Sequence, residues 1–189
     1  MLIWHKKDFL LVCYFTNNGF DDESESWIAR KMVIDYSRQL FEVVDCEIGE
    51  EENGKKFFIN EKEVCFNISH TKGCIVIAMR KGGQIGIDVE CVRKKSDKVI
   101  ERYFSMDEKE QIQNADNVEL AETVIWTKKE AYAKCTGEGL NRSTLSINTM
   151  GNRFVLSNKE VDDSQGYTYY NLNSAKNYNE ANDFRLNLP

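Results

Sequence analysis

Three short segments rich in strand-forming residues follow one another between residues 64 and 90, and only short turns separate them. The segments are Val64–Ser69, Cys74–Met79 and Gln84–Glu90, and the turns between them are His70–Gly73 and Gly82–Gly83. This pattern predicts consecutive strands. An earlier run, Phe9–Phe15, is apolar on all sides and predicts a buried strand.

Helical spacing replaces the strand pattern after Glu90. The predicted helices are Asp97–Phe104, Asp107–Asn114 and Val118–Cys135, and an earlier one of about four turns lies between Trp27 and Phe41. Residues 42–56 read as a solvated connection, and further short strands are predicted at Leu145–Thr149, Phe154–Ser157 and Tyr167–Leu172. Strands and helices come in runs, an order that favours an α+β fold over a parallel βαβ array. We expect two α+β halves, residues 1–82 and 83–189.

Charge and hydropathy disfavour several classes of protein. The net charge of −6 provides no overall basic surface for duplex nucleic acid. The apolar run Phe9–Phe15 is far shorter than the roughly 20 residues that a membrane span needs, and it makes a poor signal peptide. A cytoplasmic protein without a membrane partner is the expectation. The six cysteines contain no Cys-x-x-Cys pair, so buried reduced thiols are favoured over a zinc site.

Two carboxylates lie at the end of the third strand segment, in Gly86-Ile87-Asp88-Val89-Glu90. Side chains alternate across a strand, so Asp88 and Glu90 project from the same face. Adjacent carboxylates repel each other unless a cation lies between them, and oxygen ligands suit a hard ion such as Mg²⁺. For an isolated Asp-x-Glu, a strand that ends in solvent is the favoured interpretation.

The longest predicted helix carries a second group of functional side chains. Trp126, Glu130 and Lys134 are spaced i, i+4, i+8 and therefore share one stripe. A Glu–Lys pair at this spacing is often only a surface pair, but the aromatic residue in the same stripe argues against a fully solvated face.

The segment Phe66-Asn-Ile-Ser-His70-Thr71-Lys72 offers hydroxyl, imidazole and ammonium groups that suit phosphate oxygens. A single histidine in a turn is often incidental. Because the chain has only two histidines, a His-rich metal site and a histidine-based triad are both disfavoured.

Four motifs and their order along the chain resemble those of the 4′-phosphopantetheinyl transferases, specifically the single-chain type that acts on carrier proteins of peptide and polyketide synthases. The motifs are Phe66–His70, Gly86–Glu90, Arg102-Tyr-Phe-Ser-x-x-Glu108, and Trp126–Lys134 followed by Gly137-Glu-Gly-Leu140. The resemblance implies a pseudo-twofold α+β fold of two similar halves with coenzyme A between them. It also implies Mg²⁺-dependent transfer of phosphopantetheine from coenzyme A to a serine of an apo acyl or peptidyl carrier protein, which releases adenosine 3′,5′-bisphosphate.

Carried over to this chain, the resemblance assigns Asp88, Glu90 and Glu130 as Mg²⁺ ligands. Glu130 is also the candidate general base, although a metal-bound water is an alternative, and Lys134 is expected at the diphosphate. The residues expected to bind the nucleotide part of coenzyme A are Lys55, Ser69, His70, Thr71, Lys72, Arg30 and Lys31. The last two substitute for basic residues of the family, which has a basic residue where this chain has Glu25.

Two other functions fit part of the same pattern. A Mg²⁺-dependent nuclease or nucleotide hydrolase would use the same carboxylates, but it predicts a basic groove that only the stretch Arg93–Arg102 approaches. That stretch is otherwise a solvated helix face or a docking surface for an acidic carrier protein. A relative that binds coenzyme A or a carrier without turnover is the non-enzymatic alternative. The single-chain length favours a monomer.

Overall fold

A computed structural model of the chain describes residues 1–15, 22–71, 73–139, 141, 143, 147–149 and 167–172. The strands are β1 (Leu2–Lys6), β2 (Phe9–Phe15), β3 (Ile48–Glu50), β4 (Lys56–Phe58), β5 (Val64–Thr71), β6 (Cys74–Lys81), β7 (Gly86–Cys91) and β8 (Tyr167–Leu172). The helices are α1 (Asp22–Phe41), α2 (Asp97–Tyr103), α3 (Met106–Gln113) and α4 (Val118–Thr136). The result is a mixed α/β fold.

The main sheet has four antiparallel strands in the order β1-β2-β6-β5. Its β5–β6 hairpin is tighter than predicted. His70 and Thr71, expected in the turn, are paired strand residues opposite Ile75 and Cys74. His70 and Thr71 therefore point to opposite faces of the sheet, so the strand decides which of them can reach a given site.

The main sheet is buried on both faces, which explains why β2 is apolar on all sides. Leu10 and Val12 pack with α1 in one core, while Leu11 and Cys13 pack toward β7 in a second core. Alternating side chains of a strand reach opposite faces, so a strand covered on both sides needs an apolar residue at every position.

A second layer of the fold consists of β7, β8 and α4. Strand β7 pairs in parallel with β8, and α4 packs on both. A third apolar cluster joins α2, α3 and α4 around Phe104, Ile112 and Ile125. The division of the chain into halves 1–82 and 83–189 and their pseudo-twofold relation stay predictions.

Most predicted elements are confirmed to within two residues, but several differ. Strand β1 was not predicted, and the stretch 42–56, predicted as a connection, contains β3 and the start of β4. Residues 147–149 are not in a strand, contrary to the prediction for Leu145–Thr149. The predicted strand Phe154–Ser157 lies outside the described residues. Short strands such as β3 carry too few residues to show a period.

All six cysteines lie in the described residues and none forms a disulfide; four of them are buried: Cys13, Cys46, Cys74 and Cys135. Burial raises the pKa of Cys13 to about 12 and that of Cys135 to about 11. The Cys13 and Cys135 thiols therefore stay protonated, and they pack as small apolar groups, as predicted. In the described part of the chain, no helix combines the length and hydropathy that crossing a membrane requires.

Gly86 lets α4 approach β7 at backbone distance. A Cβ atom at this position would lie 2.2 Å from the carbonyl oxygen of Ala131 and 2.4 Å from the backbone nitrogen of Cys135. Both are backbone atoms of α4, so a side chain at residue 86 can be accepted only if the whole helix moves. The close approach holds Glu130 of α4 against the carboxylates of β7.

We expect Gly86→Ala to lower the free energy of unfolding by about 1–3 kcal/mol, because the new methyl group overpacks the contact with α4. Urea unfolding measures the effect. Gly83→Ala is the matched control, since its Cβ would meet only the flexible side chain of Arg80 at 3.2 Å. Equal stability of the two variants would contradict the proposed role of Gly86.

Candidate active site

Three carboxylates converge where α4 crosses β7. Asp88 and Glu90 project from one face of β7, and Glu130 reaches them from α4. One oxygen of each carboxylate lies within 4.8 Å of the others. The fold thus brings together the carboxylates of β7 and the carboxylate of α4, which the sequence analysis had identified as two separate groups.

Lys134 joins the same group from one helical turn further along α4. Its Nζ donates to Asp88 Oδ1 at 2.7 Å and to Ser69 Oγ at 2.9 Å. Trp126, the first residue of the predicted stripe, lies on the opposite side of Glu130 along the helix, with its ring centroid 6.3 Å from that of Tyr103. The stripe therefore faces the protein and not the solvent.

Side chains of β5 hold β7 in place although the two strands share no backbone ladder among the described residues. Asn67 Oδ1 accepts from Ile87 N at 2.9 Å, and Ser69 Oγ accepts from Val89 N at 3.2 Å. The Ser69 hydroxyl also donates to Asp88 Oδ1 at 2.9 Å. With Lys134 as a further donor, the hydrogen-bonding capacity of this hydroxyl is fully used. The structure thus places Ser69, expected at the nucleotide, beneath the carboxylates.

Glu90 is paired with two cations that follow it in sequence. Arg93 Nε and Nη2 each donate to the carboxylate at 3.1 Å, and Lys95 Nζ donates at 3.3 Å. Lys95 is buried, and its ammonium lies 5.6 Å from the ring centroid of Trp126. Burial lowers the pKa of Lys95, while the Glu90 charge opposes that shift.

The backbone of the same segment is fastened to α4. Arg93 N donates to Thr123 Oγ1 at 3.0 Å, and Lys95 N donates to the buried carboxylate of Glu122 at 2.7 Å. These bonds fix the chain that leaves β7, and with it the direction of Glu90.

One oxygen of the carboxylate cluster is buried without a hydrogen-bond partner. Asp88 is 2% exposed, and its Oδ2 atom has no hydrogen-bond partner. Burial, followed by the charge of Asp88, raises the pKa of Glu130 to about 8 although Lys134 opposes the shift. An unpartnered buried acceptor beside two more carboxylates fits a hard divalent cation, and three oxygen donors are typical of Mg²⁺ sites completed by substrate phosphates and water.

A basic cleft leads to these carboxylates. Two adjoining cavities share Gly54, Asn67 and Ile68 and together run from α1 to the end of α4. Cationic or ionisable side chains line the cleft along its length: Arg30, Lys56 and His70 in the first cavity, and Lys55 and Lys134 in the second. Lys134 lines the second cavity and also contacts Asp88, so this side chain connects the cleft with the carboxylate cluster.

Three of the bases expected to bind the nucleotide differ in their surroundings. Arg30 lines the cleft and donates to the carbonyl of Ile48 at 3.2 Å. The Lys55 ammonium donates to the carbonyl of Cys135 at 2.8 Å, at the C-terminus of α4, where a cation is favoured. Lys31 does not line the described cavities and instead pairs with Asp35 at 2.9 Å on the exposed side of α1.

The end of β5 supplies the other expected residues. His70 Nδ1 lies 2.7 Å from Oε2 of Glu25, a buried carboxylate in the first turns of α1. The hydroxyl of Thr71, on the opposite face of the strand, lies 3.5 Å from the sulfur of Cys91. Lys72 lies outside the described residues.

A buried ion pair gives a structural role to Glu108, the last residue of the motif that begins at Arg102. Lys129 Nζ lies 3.0 Å from Glu108 Oε2, and both side chains are 0% exposed. Glu108 also completes a capping box with Ser105 and accepts two hydrogen bonds from Thr149. The pair joins α3 to α4 and to residues 147–149. On α4, Lys129 is the residue immediately before Glu130.

Sequence reasoning did not assign roles to Asn67, Glu25, Lys95 or Lys129. Asn67 could have been found, because it lies two residues before Ser69 and hence on the same face of β5. The other three carry no signal in the local pattern, since their partners are distant in sequence or belong to another element.

Comparison with known proteins gives one family. The family model of the 4′-phosphopantetheinyl transferase superfamily matches residues 84–182, more than half of the chain. The 4′-phosphopantetheinyl transferase HetI of a Nostoc strain is 34% identical over 84 residues, which cover 42% of this chain and 35% of that protein.

Two further relatives carry the same activity in their names. The 4′-phosphopantetheinyl transferase psf-1 of Bacillus pumilus is 33% identical over 48% of this chain and 40% of its own length. The 4′-phosphopantetheinyl transferase AcpT of Salmonella typhi is 30% identical over 59% of this chain and 58% of its own length. The matched segments thus cover less than two thirds of each of these relatives.

Proposed function

The chain belongs to the 4′-phosphopantetheinyl transferase superfamily, and on that premise we propose that it transfers phosphopantetheine from coenzyme A to a serine of an apo acyl or peptidyl carrier protein. The observation that supports the proposal best is the convergence of Asp88, Glu90 and Glu130 beside Lys134, at the end of a basic cleft. Phosphoryl transfer needs mainly positioning and charge neutralisation, and this arrangement can supply both.

In this proposal Asp88, Glu90 and Glu130 hold Mg²⁺, which neutralises charge on the diphosphate oxygens when it is bound. The basic cleft binds coenzyme A, with the nucleotide near Arg30 and His70 and the diphosphate beside Lys134. The Lys134 ammonium, already fixed by Asp88 and Ser69, keeps its place as negative charge develops on the phosphoryl oxygens.

The bond changes follow from the proposed reaction. The carrier serine Oγ attacks the diphosphate phosphorus that carries the pantetheine arm. The new serine O–P bond forms as the bond from that phosphorus to the bridging oxygen breaks, and adenosine 3′,5′-bisphosphate leaves with the bridging oxygen. We assign the serine proton to the Glu130 carboxylate, which lies within 4.8 Å of the carboxylates of Asp88 and Glu90.

The test is incubation of the protein with coenzyme A, Mg²⁺ and a purified apo carrier protein, followed by mass spectrometry of the carrier. We expect the carrier to gain the mass of one phosphopantetheine group, and EDTA should prevent the gain. No gain across a panel of acyl and peptidyl carriers would refute the proposal. Cleavage of coenzyme A or of an oligonucleotide without any carrier would instead support the hydrolase alternative.

A divalent cation is expected to stabilise the protein, because it relieves the repulsion among the three carboxylates. At about 100 times its dissociation constant, Mg²⁺ should add about 2.7 kcal/mol. For a chain of this size that raises the melting temperature by roughly 5–10 °C. Asp88→Asn should abolish the increase, whereas Asp116→Asn, at an exposed position before α4, should retain it. A full increase in the Asp88 variant would contradict the assignment.

A further inference from the structure

Each base that lines the first cavity of the cleft already has an acceptor within the protein. His70 Nδ1 lies 2.7 Å from Oε2 of Glu25, and Lys56 Nζ donates to Oε2 of Glu50 at 2.7 Å. Arg30 donates to a main-chain carbonyl of β3 at 3.2 Å. Carboxylates of the chain itself therefore occupy two of the three positions that an anionic ligand would take.

The charges around the first cavity nearly cancel. The pair of His70 and Glu25 is neutral when the imidazole is protonated and carries −1 when it is not, so it is never a net cation. Glu50 interacts with both other bases: the hydrogen bond and charge of Lys56, and less strongly the charge of Arg30, lower its pKa. Three bases and two carboxylates thus leave a net charge of at most +1.

The Glu25 carboxylate is held in place beside the cavity. Its side chain is only 9% exposed, and the two residues Ser26 and Ala29 of the same helix line the cavity wall. An anion that approached His70 from the cavity would lie close to the Glu25 charge. Two negative charges that share one imidazole repel each other, and the repulsion is strong where water is largely excluded.

Apolar side chains give the same cavity another means of binding a nucleotide. Ala29, Ile48, Phe66 and Ile68 line it together with the bases. Contacts of this kind suit the flat face of an adenine and depend little on charge. The base of a nucleotide can therefore be bound here without an ion pair to a phosphate.

Resting on the proposed function, we propose that the first cavity does not select for the 3′-phosphate of coenzyme A, so that dephospho-coenzyme A, which lacks this group, binds about as tightly. With the diphosphate beside Lys134, the nucleotide extends into the first cavity. A phosphate monoester there carries about −1.5 to −2 at pH 7, which is more than the net charge of the cavity can balance. Glu25 is the residue that sets this specificity.

A second donor substrate follows from this specificity. The carrier serine Oγ would attack the same phosphorus of dephospho-coenzyme A, and its O–P bond would form as the bond to the bridging oxygen breaks. Adenosine 5′-monophosphate would leave with the bridging oxygen. Where coenzyme A modifies a carrier, dephospho-coenzyme A should do so with a similar kcat, because the reacting groups are the same.

Calorimetry with the wild-type protein and Mg²⁺, in the absence of any carrier, compares the two compounds directly. We expect their dissociation constants to agree within about fivefold, a small difference for the loss of a doubly charged group. A larger preference for coenzyme A, or no binding of either compound, would overturn the inference.

Glu25→Gln tests the residue to which the specificity is assigned. The amide oxygen can still accept a hydrogen bond from His70, but the negative charge is gone. We expect coenzyme A to bind roughly tenfold more tightly to the variant and dephospho-coenzyme A to bind as it does to the wild type. Glu119→Gln, an exposed change on α4, is the matched control and should bind both compounds like the wild type. The same ratio of dissociation constants in Glu25→Gln and the wild type would overturn the role of Glu25.

Carrier modification separates failure of this inference from failure of the proposed function. Equal binding of the two compounds without modification of any carrier would refute the proposed function and still support the inference on binding. Modification of a carrier with coenzyme A, together with much weaker binding of dephospho-coenzyme A, would overturn the inference alone.

Discussion

Replacement of Glu130 by glutamine is expected to lower the rate of phosphopantetheine transfer by about 10²–10⁴-fold, the usual contribution of a general base. The variant keeps the size and shape of the side chain but can neither accept the serine proton nor offer a charged ligand to a cation. Single-turnover assays with saturating coenzyme A and carrier measure the loss. Glu119→Gln, an exposed change on the same helix, is the matched control and should retain full activity.

Stability distinguishes a chemical loss from unfolding. The pKa of Glu130 is about 8 in the folded protein against an ordinary value of 4.5, so folding favours the neutral form. In EDTA, the wild type should therefore lose stability relative to Glu130→Gln as the pH rises from about 4.5 to about 8, and the difference should stay constant above that range. Transfer at the wild-type rate, or a variant less stable than the wild type at pH 9, would contradict the role assigned to Glu130.

Lys129→Met is expected to lower the free energy of unfolding by about 3–5 kcal/mol, because it leaves the Glu108 carboxylate buried without its cation. The melting temperature should fall by roughly 6–20 °C. Lys31→Met is the matched control. It breaks an exposed pair with Asp35 and should cost only about 0.3–0.5 kcal/mol.

A second variant tests whether the unpaired charge is the cause of that loss. Lys129→Met combined with Glu108→Gln removes both charges. Because Ser105 N and Thr149 N bond to different oxygens of the carboxylate, the one amide oxygen can keep only one of these two acceptor positions. The double variant should recover part of the lost stability. If the double variant is as unstable as Lys129→Met, packing of the lysine stem and not charge pairing is the main contribution.

The candidate site shows where sequence reasoning succeeds. The alternation of side chains in β7 placed Asp88 and Glu90 on one face, and the helical period of α4 aligned Glu130 with Lys134. Both predictions depend on residues a few positions apart, whose relative directions the backbone geometry determines. The family motifs then linked the strand to the helix, which no local pattern could do.

The nucleotide-binding residues stay a prediction, and the charge of a residue alone does not show where its side chain lies in the fold. The same role, binding the nucleotide part of coenzyme A, was predicted for three basic residues: Arg30, Lys31 and Lys55. In the structure Lys31 faces away and pairs with Asp35, while the Lys55 ammonium caps the end of α4. Only Arg30 of these three lines the first cavity together with His70.

By itself, the sequence determined the family, the strand and helix that carry the carboxylates, and the face on which each carboxylate lies, because periodicity and motifs are properties of neighbouring residues. Only the tertiary structure decided the partners: Arg93 and Lys95 on Glu90, Glu25 on His70, and Lys129 on Glu108. Such pairs depend on how closely whole elements approach one another. That approach is set by packing between residues far apart in the chain, as the contact between Gly86 and α4 illustrates.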